Sequence, residues 1–206
     1  MADKVDFKKS LKALYAPPVG RFVEVDVPPL SYLMIDGAGD PNTAASYKSA
    51  VEWLYSLSYP LKFMSKKELG RDYAVMPLEG LWWAEDMSTF ISRRKDEWSW
   101  TMMILQPDWI GREMVDAAVA KARAKLGEPP ASLRLETLDE GLCVQTMHVG
   151  SYDDEGPVLA KLHNEYLPQH GLKETGRHHE IYLGDPRKTA PEKLKTILRQ
   201  PVQPRR

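Results

Sequence analysis

The sequence predicts an α+β protein made of two tandem strand–helix–strand–strand modules, paired about a pseudo-two-fold with a ligand cleft between them. Three observations carry this expectation. Setting Gly37 on Gly150 aligns Met34 with Met147, Asp40 with Asp153 and Leu54 with Leu167, and both copies read strand, glycine turn with an acid, helix, then two strands. Several segments alternate with period two, most cleanly Glu97 to Leu105, where Trp98, Trp100, Met102 and Ile104 fall on one face. Other segments repeat at helical spacing, as Val115, Val119, Ala122 and Leu126 do.

The elements follow in order. Residues 1–20 form a lysine-rich, weakly helical N-terminal extension ending at Ala16-Pro17-Pro18. Arg21 to Val27 alternates until Pro28-Pro29 interrupts it, and Leu30 to Ile35 reads as a buried strand. Gly37 to Asn42 is a turn, with Asn42 or Thr43 placed to cap a helix carrying Ala44, Tyr47, Val51 and Leu54. Asp72 to Glu79 and Leu81 to Ala84 are predicted strands divided by Gly80. Asp108 is expected to cap a helix that stops at Gly127, and Pro129-Pro130 marks a boundary. These elements give a first module with its connecting helix over 21–130 and a second over 131–206, together one domain. In the second module Leu142 to Val149 is a strand. Pro157 sits in the first turn of the next helix, where its missing N–H costs little. Leu159, Leu162 and Tyr166 mark that helix's buried face, and Gly171 ends it. His179 to Leu183 is a strand, and Leu194 to Arg199 favours one.

Composition excludes several functions. With 28 basic and 29 acidic residues the formal charge is −1, so no basic field is present to hold nucleic acid. Cys143 is the single cysteine, which excludes an internal disulfide framework and fits a reducing compartment. No run approaches the roughly 18 apolar residues of a membrane span, and Met1 to Lys4 is followed by no apolar signal core. A cytoplasmic protein without membrane association is the expectation.

Glu180 and Tyr182 share one strand face, opposite His179, Ile181 and Leu183. An acid beside a phenol is either a solvated strand edge or the lining of a cleft, where a carboxylate serves as acid or base. Metal chemistry finds little support. His178 and His179 point to opposite sides of a strand, and His163 and His170 lack a carboxylate at metal-site spacing. Cys143 alternates within a strand and reads as an inert core thiol. Gly37-Ala38-Gly39 lacks the residues that complete a phosphate loop.

His148-Val149-Gly150-Ser151-Tyr152-Asp153, the Pro157 helix, Gly171-Leu172 and His178 to Leu183 resemble the GyrI-like small-molecule-binding proteins. The run from Asp185 to Pro201, Ile35 to Pro41, and Glu79-Gly80-Leu81-Trp82-Trp83 resemble a stand-alone branch of that group. The resemblance spans roughly residues 20 to 201. Relatives include effector domains of multidrug-sensing regulators, in which a glutamate in an aromatic pocket binds cationic drugs. The stand-alone branch is similar to hydrolases of cyclopropane-bearing, DNA-alkylating natural products, in which a glutamate directs water onto the strained ring.

The resemblance places that glutamate at Glu180, with Tyr182 and Tyr152 as catalytic partners. Trp82, Trp83, Glu79, Tyr73 and Trp109 are the candidate ligand-binding residues. Trp82 and Trp83 point to opposite faces if extended, and which one meets the cleft stays open. Asp153 and Asp154 read as helix caps, and Trp98 and Trp100 as core. The function implied is binding of flat, apolar or cationic molecules and hydrolysis of a strained genotoxin without metal or organic cofactor. The alternative is a non-catalytic sequestering or sensor protein; a third reading is interaction with a topoisomerase. No helix-turn-helix is visible, which departs from the regulators.

Overall fold

The period-two segments join one antiparallel sheet. In the computed structural model, which describes residues 4–86, 89 and 93–205, the strands are β1 (Val23–Val27), β2 (Leu30–Ala38), β3 (Glu79–Trp83), β4 (Ser99–Gln106) and β5 (Arg134–Leu138). They continue with β6 (Gly141–Val149), β7 (Leu172–Glu174), β8 (His178–Tyr182) and β9 (Lys195–Pro204). The spatial order is β1-β6-β9-β8-β3-β4-β2-β5, with β7 added on β9. Relabelling β2, β3 and β4 as β6, β8 and β9 returns the same order from the other end, as the internal repeat implies. The edge strands are exchanged: β1 pairs with β6 of the second repeat, and β5 pairs with β2 of the first.

The repeats meet edge to edge, through β3 against β8 with Gly80 opposite Glu180. This corrects the expectation of two sheets facing each other across a cleft, because pairing at the seam consumes the free edge of each module. Residues opposed across a ladder share a face. Tracing the registers puts Glu180, His178, Gly80, Trp82, Trp100, Met102 and Leu198 on one face, and His179, Ile181, Glu79, Leu81, Met103 and Arg199 on the other.

Both helical layers lie over the Glu180 face. Helices α1 (Phe7–Ser10) and α2 (Lys12–Tyr15) belong to the extension, and α3 (Ala45–Glu68) packs on β2 and β4. The Gln106 amide donates to Ser58 Oγ of α3 at 3.2 Å, which fixes the helix to this side. Helix α4 (Arg112–Leu126) packs on α3. The second repeat supplies α5 (Gly156–Lys161), a π-turn over Leu162–Tyr166, and α6 (Leu167–Gln169). Leu162 and Leu167 there bury against Val144, Leu172 and Val202. The face carrying His179 and Ile181 is not the one these helices cover. The helices instead cover the side carrying Glu180, and the opposite side is closed by Leu14 and Tyr15 of the extension.

Three local boundaries differ from expectation. Gly80 lies inside β3, and of residues 72–78 only Tyr73 makes a bridge, to Val5. Helix α4 begins at Arg112 behind Gly111, because Pro107 to Ile110 forms a turn closed by Ile110 N–H to Pro107 O. Helix α3 has Ala44 at its N-cap with no side-chain cap, while the Asp40 carboxylate is used by the turn at Asn42. Strand β4 alternates in sequence but is buried from Trp100 through Gln106, since it is central and covered on both faces.

Candidate functional site

The seam between the repeats carries the candidate site. Strand alternation sends His178, Glu180 and Tyr182 to the helical side. Tyr182 donates its hydroxyl proton to Glu180 Oε2 at 2.7 Å, and the Trp82 indole N–H donates to Tyr182 Oη at 2.9 Å. His178 Nε2 lies 3.4 Å from Glu180 Oε1, so both carboxylate oxygens have neighbours. The Glu180 side chain is 15% exposed.

Trp82 reaches Tyr182 because the residue between is glycine. A Cβ on Gly80 would stand 2.9 Å from the Trp82 indole nitrogen. Gly37 serves Trp100 in the same way, its Cβ position lying only 2.1 Å from the ring. Tyr47, in the first turn of α3, stacks on Trp82 at 6.3 Å and meets Trp100 edge-on at 5.3 Å. Trp98 meets Trp82 edge-on at 5.9 Å. From the second repeat, Tyr152 meets Tyr182 edge-on at 5.5 Å. The result is an aromatic enclosure around one carboxylate, drawn from both repeats.

A second carboxyl belongs to this enclosure. Glu155 precedes α5 and is 4% exposed, and its Oε1 has no hydrogen-bond partner among the described residues. Thr196 lies beside it, but that hydroxyl is likewise unpartnered, so the contact is not a formed hydrogen bond. Burial, and then the charge of Glu180, push the Glu155 carboxyl up to about 10. The site therefore holds a neutral carboxylic acid near neutral pH. Burial and the carboxylates of Glu155 and Glu180 also raise the Tyr152 phenol, to about 12. Burial and the Glu180 charge raise Tyr182 well above its usual value, which keeps its proton on the hydroxyl that Glu180 accepts from.

The structure sorts the sequence candidates. It brings Glu180, Tyr182, Tyr152 and Trp82 together. Trp83 turns the other way at the end of β3, with the Arg177 guanidinium 3.4 Å above its ring. Glu79 is opposite in parity to Trp82 and lies on the far face, fully buried. There it accepts from Tyr15 Oη at 2.7 Å and meets His179 Nε2 at 2.9 Å. His179 Nδ1 meets Glu140 at 3.0 Å, and Arg199 donates to Glu140 at 3.3 Å and to Leu14 O at 2.9 Å. Burial opposes charge on His179, but the Glu140 charge and the hydrogen bonds His179 donates to Glu140 and Glu79 outweigh it, raising the imidazole to about 9. Glu79 is therefore corrected from pocket lining to one corner of a sealed ion network.

Tyr73 and Trp109 are also removed from the cleft. Tyr73 is buried, donates to Gln106 Oε1, and meets Trp109 edge-on at 6.1 Å. Trp109 donates to Ser65 Oγ near the end of α3, eighteen residues from Tyr47. At 1.5 Å per residue that is roughly 27 Å along the helix. Cys143 is buried, and burial pushes its thiol up to about 12, as expected of an inert core residue. Sequence reasoning missed Tyr47, His178 and Glu155. His178 shares parity with Glu180, which was a usable signal, whereas Glu155 directly follows Asp153 and Asp154, which read as helix caps. Among the described residues no three His, Cys, Asp or Glu side chains are grouped to hold a metal ion, and no helix is long and apolar enough to cross a membrane.

Comparison with known proteins agrees with this architecture. An uncharacterized conserved protein from Listeria innocua superposes with a TM-score of 0.88 at 42% identity, covering 97% of this chain and 100% of the other. A hydrolase from the same organism gives 0.83 at 40% identity, again over 97% and 100%. The EcmrR C-terminal domain gives 0.56 at 11% identity, over 89% and 98%, and shares the fold alone. No curated protein matches. The GyrI-like small molecule binding domain family matches residues 22–203, nearly the whole chain, and this protein belongs to that family.

Proposed function

We propose that the Glu180 enclosure binds a flat, apolar or cationic small molecule and hydrolyses a strained, cyclopropane-bearing genotoxin. The observation that supports this best is the chain Trp82 N–H to Tyr182 O–H to Glu180, set at 15% exposure within aromatic walls. Rings from Tyr47, Trp82, Trp98 and Tyr152 offer stacking surface and exclude bulk water. The Tyr182 proton is committed to Glu180, so Tyr182 orients the carboxylate. The hydrogen-bond donor role open to Tyr182 or Tyr152 then falls to Tyr152, whose hydroxyl has no partner among the described residues.

The reaction balances without a cofactor. A water oxygen forms a bond to the ring methylene as the cyclopropane C–C bond breaks. The released electron pair moves to a conjugated carbonyl oxygen. Glu180 takes a proton from the water while Tyr152 gives a hydrogen bond to the oxygen gaining charge, and that proton then passes from Glu180 to the enolate, which restores the carboxylate and leaves a neutral ring-opened alcohol. Strain in the substrate lets a modest site suffice, since a general base contributes about 10² to 10⁴ in rate. The hydrolase among the similar proteins is consistent with this reading.

Glu180→Gln tests it. The amide preserves shape and cannot accept the proton, so product measured by mass spectrometry should form at least ~100-fold more slowly while the ligand still binds. Normal turnover in that variant would move the chemistry elsewhere. An intact ligand recovered from the wild-type protein would favour the sequestering or sensor role, for which the buried carboxylate in an aromatic cage also serves.

A further inference from the structure

Beside the Glu180 enclosure is a cavity of about 340 Å³ walled by Trp82, Trp83, Glu174, Arg177, His178 and Gln200. That volume falls within the range of about 300 to 1,000 Å³ usual for small-molecule sites. The lining is unlike ordinary surface. The His178 side chain is only 10% exposed; its Nδ1 has no partner, and its Nε2 has only the 3.4 Å approach to Glu180, which is not a formed hydrogen bond. A buried imidazole left unpaired is costly unless something supplies the missing bond. The Arg177 guanidinium carbon lies 3.4 Å from the Trp83 ring centroid, and its N–H groups have no hydrogen-bond partner among the described residues. No carboxylate pairs with Arg177 among the described residues. Glu174, the acid in the wall, is held by His163 at 3.4 Å. The Gln200 amide N–H groups are used by Gly176 O and Pro201 O.

We infer that this cavity is a second ligand compartment, taking a planar group that carries an anionic oxygen such as a carboxylate or phenolate. The aromatic walls receive the plane. Arg177 and His178 receive the oxygen, the first as an open fork of donors and the second as a buried donor. His178 is also the partition between the compartments, since its Nε2 is 3.4 Å from Glu180. The ligand class that fills both spaces is elongated and flat, with an apolar or cationic end at Glu180 and an anionic oxygen at Arg177. Either end alone should bind at its own compartment. The inference needs no turnover at Glu180 and survives if the protein only sequesters.

The test compares 2-naphthoate with the neutral amide of the same shape, 2-naphthamide, by calorimetry on the full chain. Naphthoate should bind at least tenfold more tightly than the amide. Arg177→Gln should abolish that preference, and because the side chain is exposed, this variant should keep the fold. His178→Gln should weaken naphthoate by a similar factor. Glu180→Gln should leave naphthoate binding intact or strengthen it, because a nearby negative charge is lost, while weakening tetraphenylphosphonium. Equal affinity for the two probes would overturn the inference. So would a naphthoate affinity indifferent to Arg177→Gln, or one abolished by Glu180→Gln.

Discussion

Replacing Glu155 by Gln should stabilise the protein, and do so increasingly with pH. The side chain is 4% exposed with one oxygen unpartnered, and burial followed by the Glu180 charge raises its carboxyl from 4.5 to about 10. A folded-state value above the unfolded one means the folded protein keeps a proton that the unfolded chain releases. The favourable contribution is complete below about pH 4.5 and is lost progressively as the pH climbs towards 10. At pH 8 the gap from 4.5 is 3.5 units, a ceiling of about 5 kcal/mol at about 1.4 kcal/mol per unit. Relaxation of the site and entry of water reduce this to an expected gain of about 2 kcal/mol or more. Gln keeps the shape and never ionises, so the variant should match wild type near pH 5 and exceed it by roughly 4–8 °C in Tm at pH 8. Melting curves from pH 5 to 9 measure the difference directly. A constant offset between the two profiles would refute the buried neutral acid.

The pH slope that remains in Glu155→Gln should come largely from His179. Its folded value of about 9 exceeds 6.5, so its contribution is whole below pH 6.5 and disappears as the pH passes 9. Adding His179→Gln should remove that slope, at a cost of about 3 kcal/mol at pH 7 from the broken network, read from urea midpoints. Gly37→Ala should cost about 3 kcal/mol or more, because a Cβ 2.1 Å from a fully buried Trp100 forces ring or strand to move; a midpoint within 1 kcal/mol of wild type would contradict the close approach. Trp82→Phe keeps a ring on Tyr47 but removes the N–H to Tyr182, so turnover should fall about tenfold with ligand affinity held. An unchanged rate would free Tyr182 from its part in orienting Glu180.

Much of the sheet was legible because burial on one face imposes a local rule. Period two placed Glu180 with Tyr182, and the repeat placed β2, β6 and their helices in corresponding roles. The site was legible only where that rule reached. Taking Gly80 as a strand break hid the parity that separates Glu79 from Trp82. With Gly80 inside β3, odd and even residues sort onto opposite faces, and Glu79 could not have lined the cleft. Tyr73 and Trp109 have no local pattern that reveals distance from Glu180; the length of α3 decides it. Pairing of Gly80 with Glu180 joins residues a hundred positions apart, and no short-range signal specifies it. Glu155 was obscure for another reason. Asp153 and Asp154 before the helix read as caps, and no local pattern shows that the acid after them, Glu155, is buried.

The two faces of β8 explain each other. Glu79, Glu140, His179 and Arg199 form a set whose charges cancel when His179 is protonated, all of it sealed beneath the extension. Such a network is a poor source of net stability, since desolvation offsets most of the attraction. Its effect on register is stronger. Slipping β8 by one residue against its neighbours would turn His179 into the aromatic enclosure and Glu180 into the network. Glu79 and Glu140 would then face another carboxylate, leaving Arg199 as the sole buried cation against three acids, a penalty of about 3 to 5 kcal/mol or more for the broken pairs. The apolar residues alone impose less, because Ile181 is the only aliphatic side chain in β8. The buried ions therefore fix which side of the strand His178, Glu180 and Tyr182 occupy. The side of β8 on which the proposed site lies thus depends on a charge cluster sealed on the opposite face.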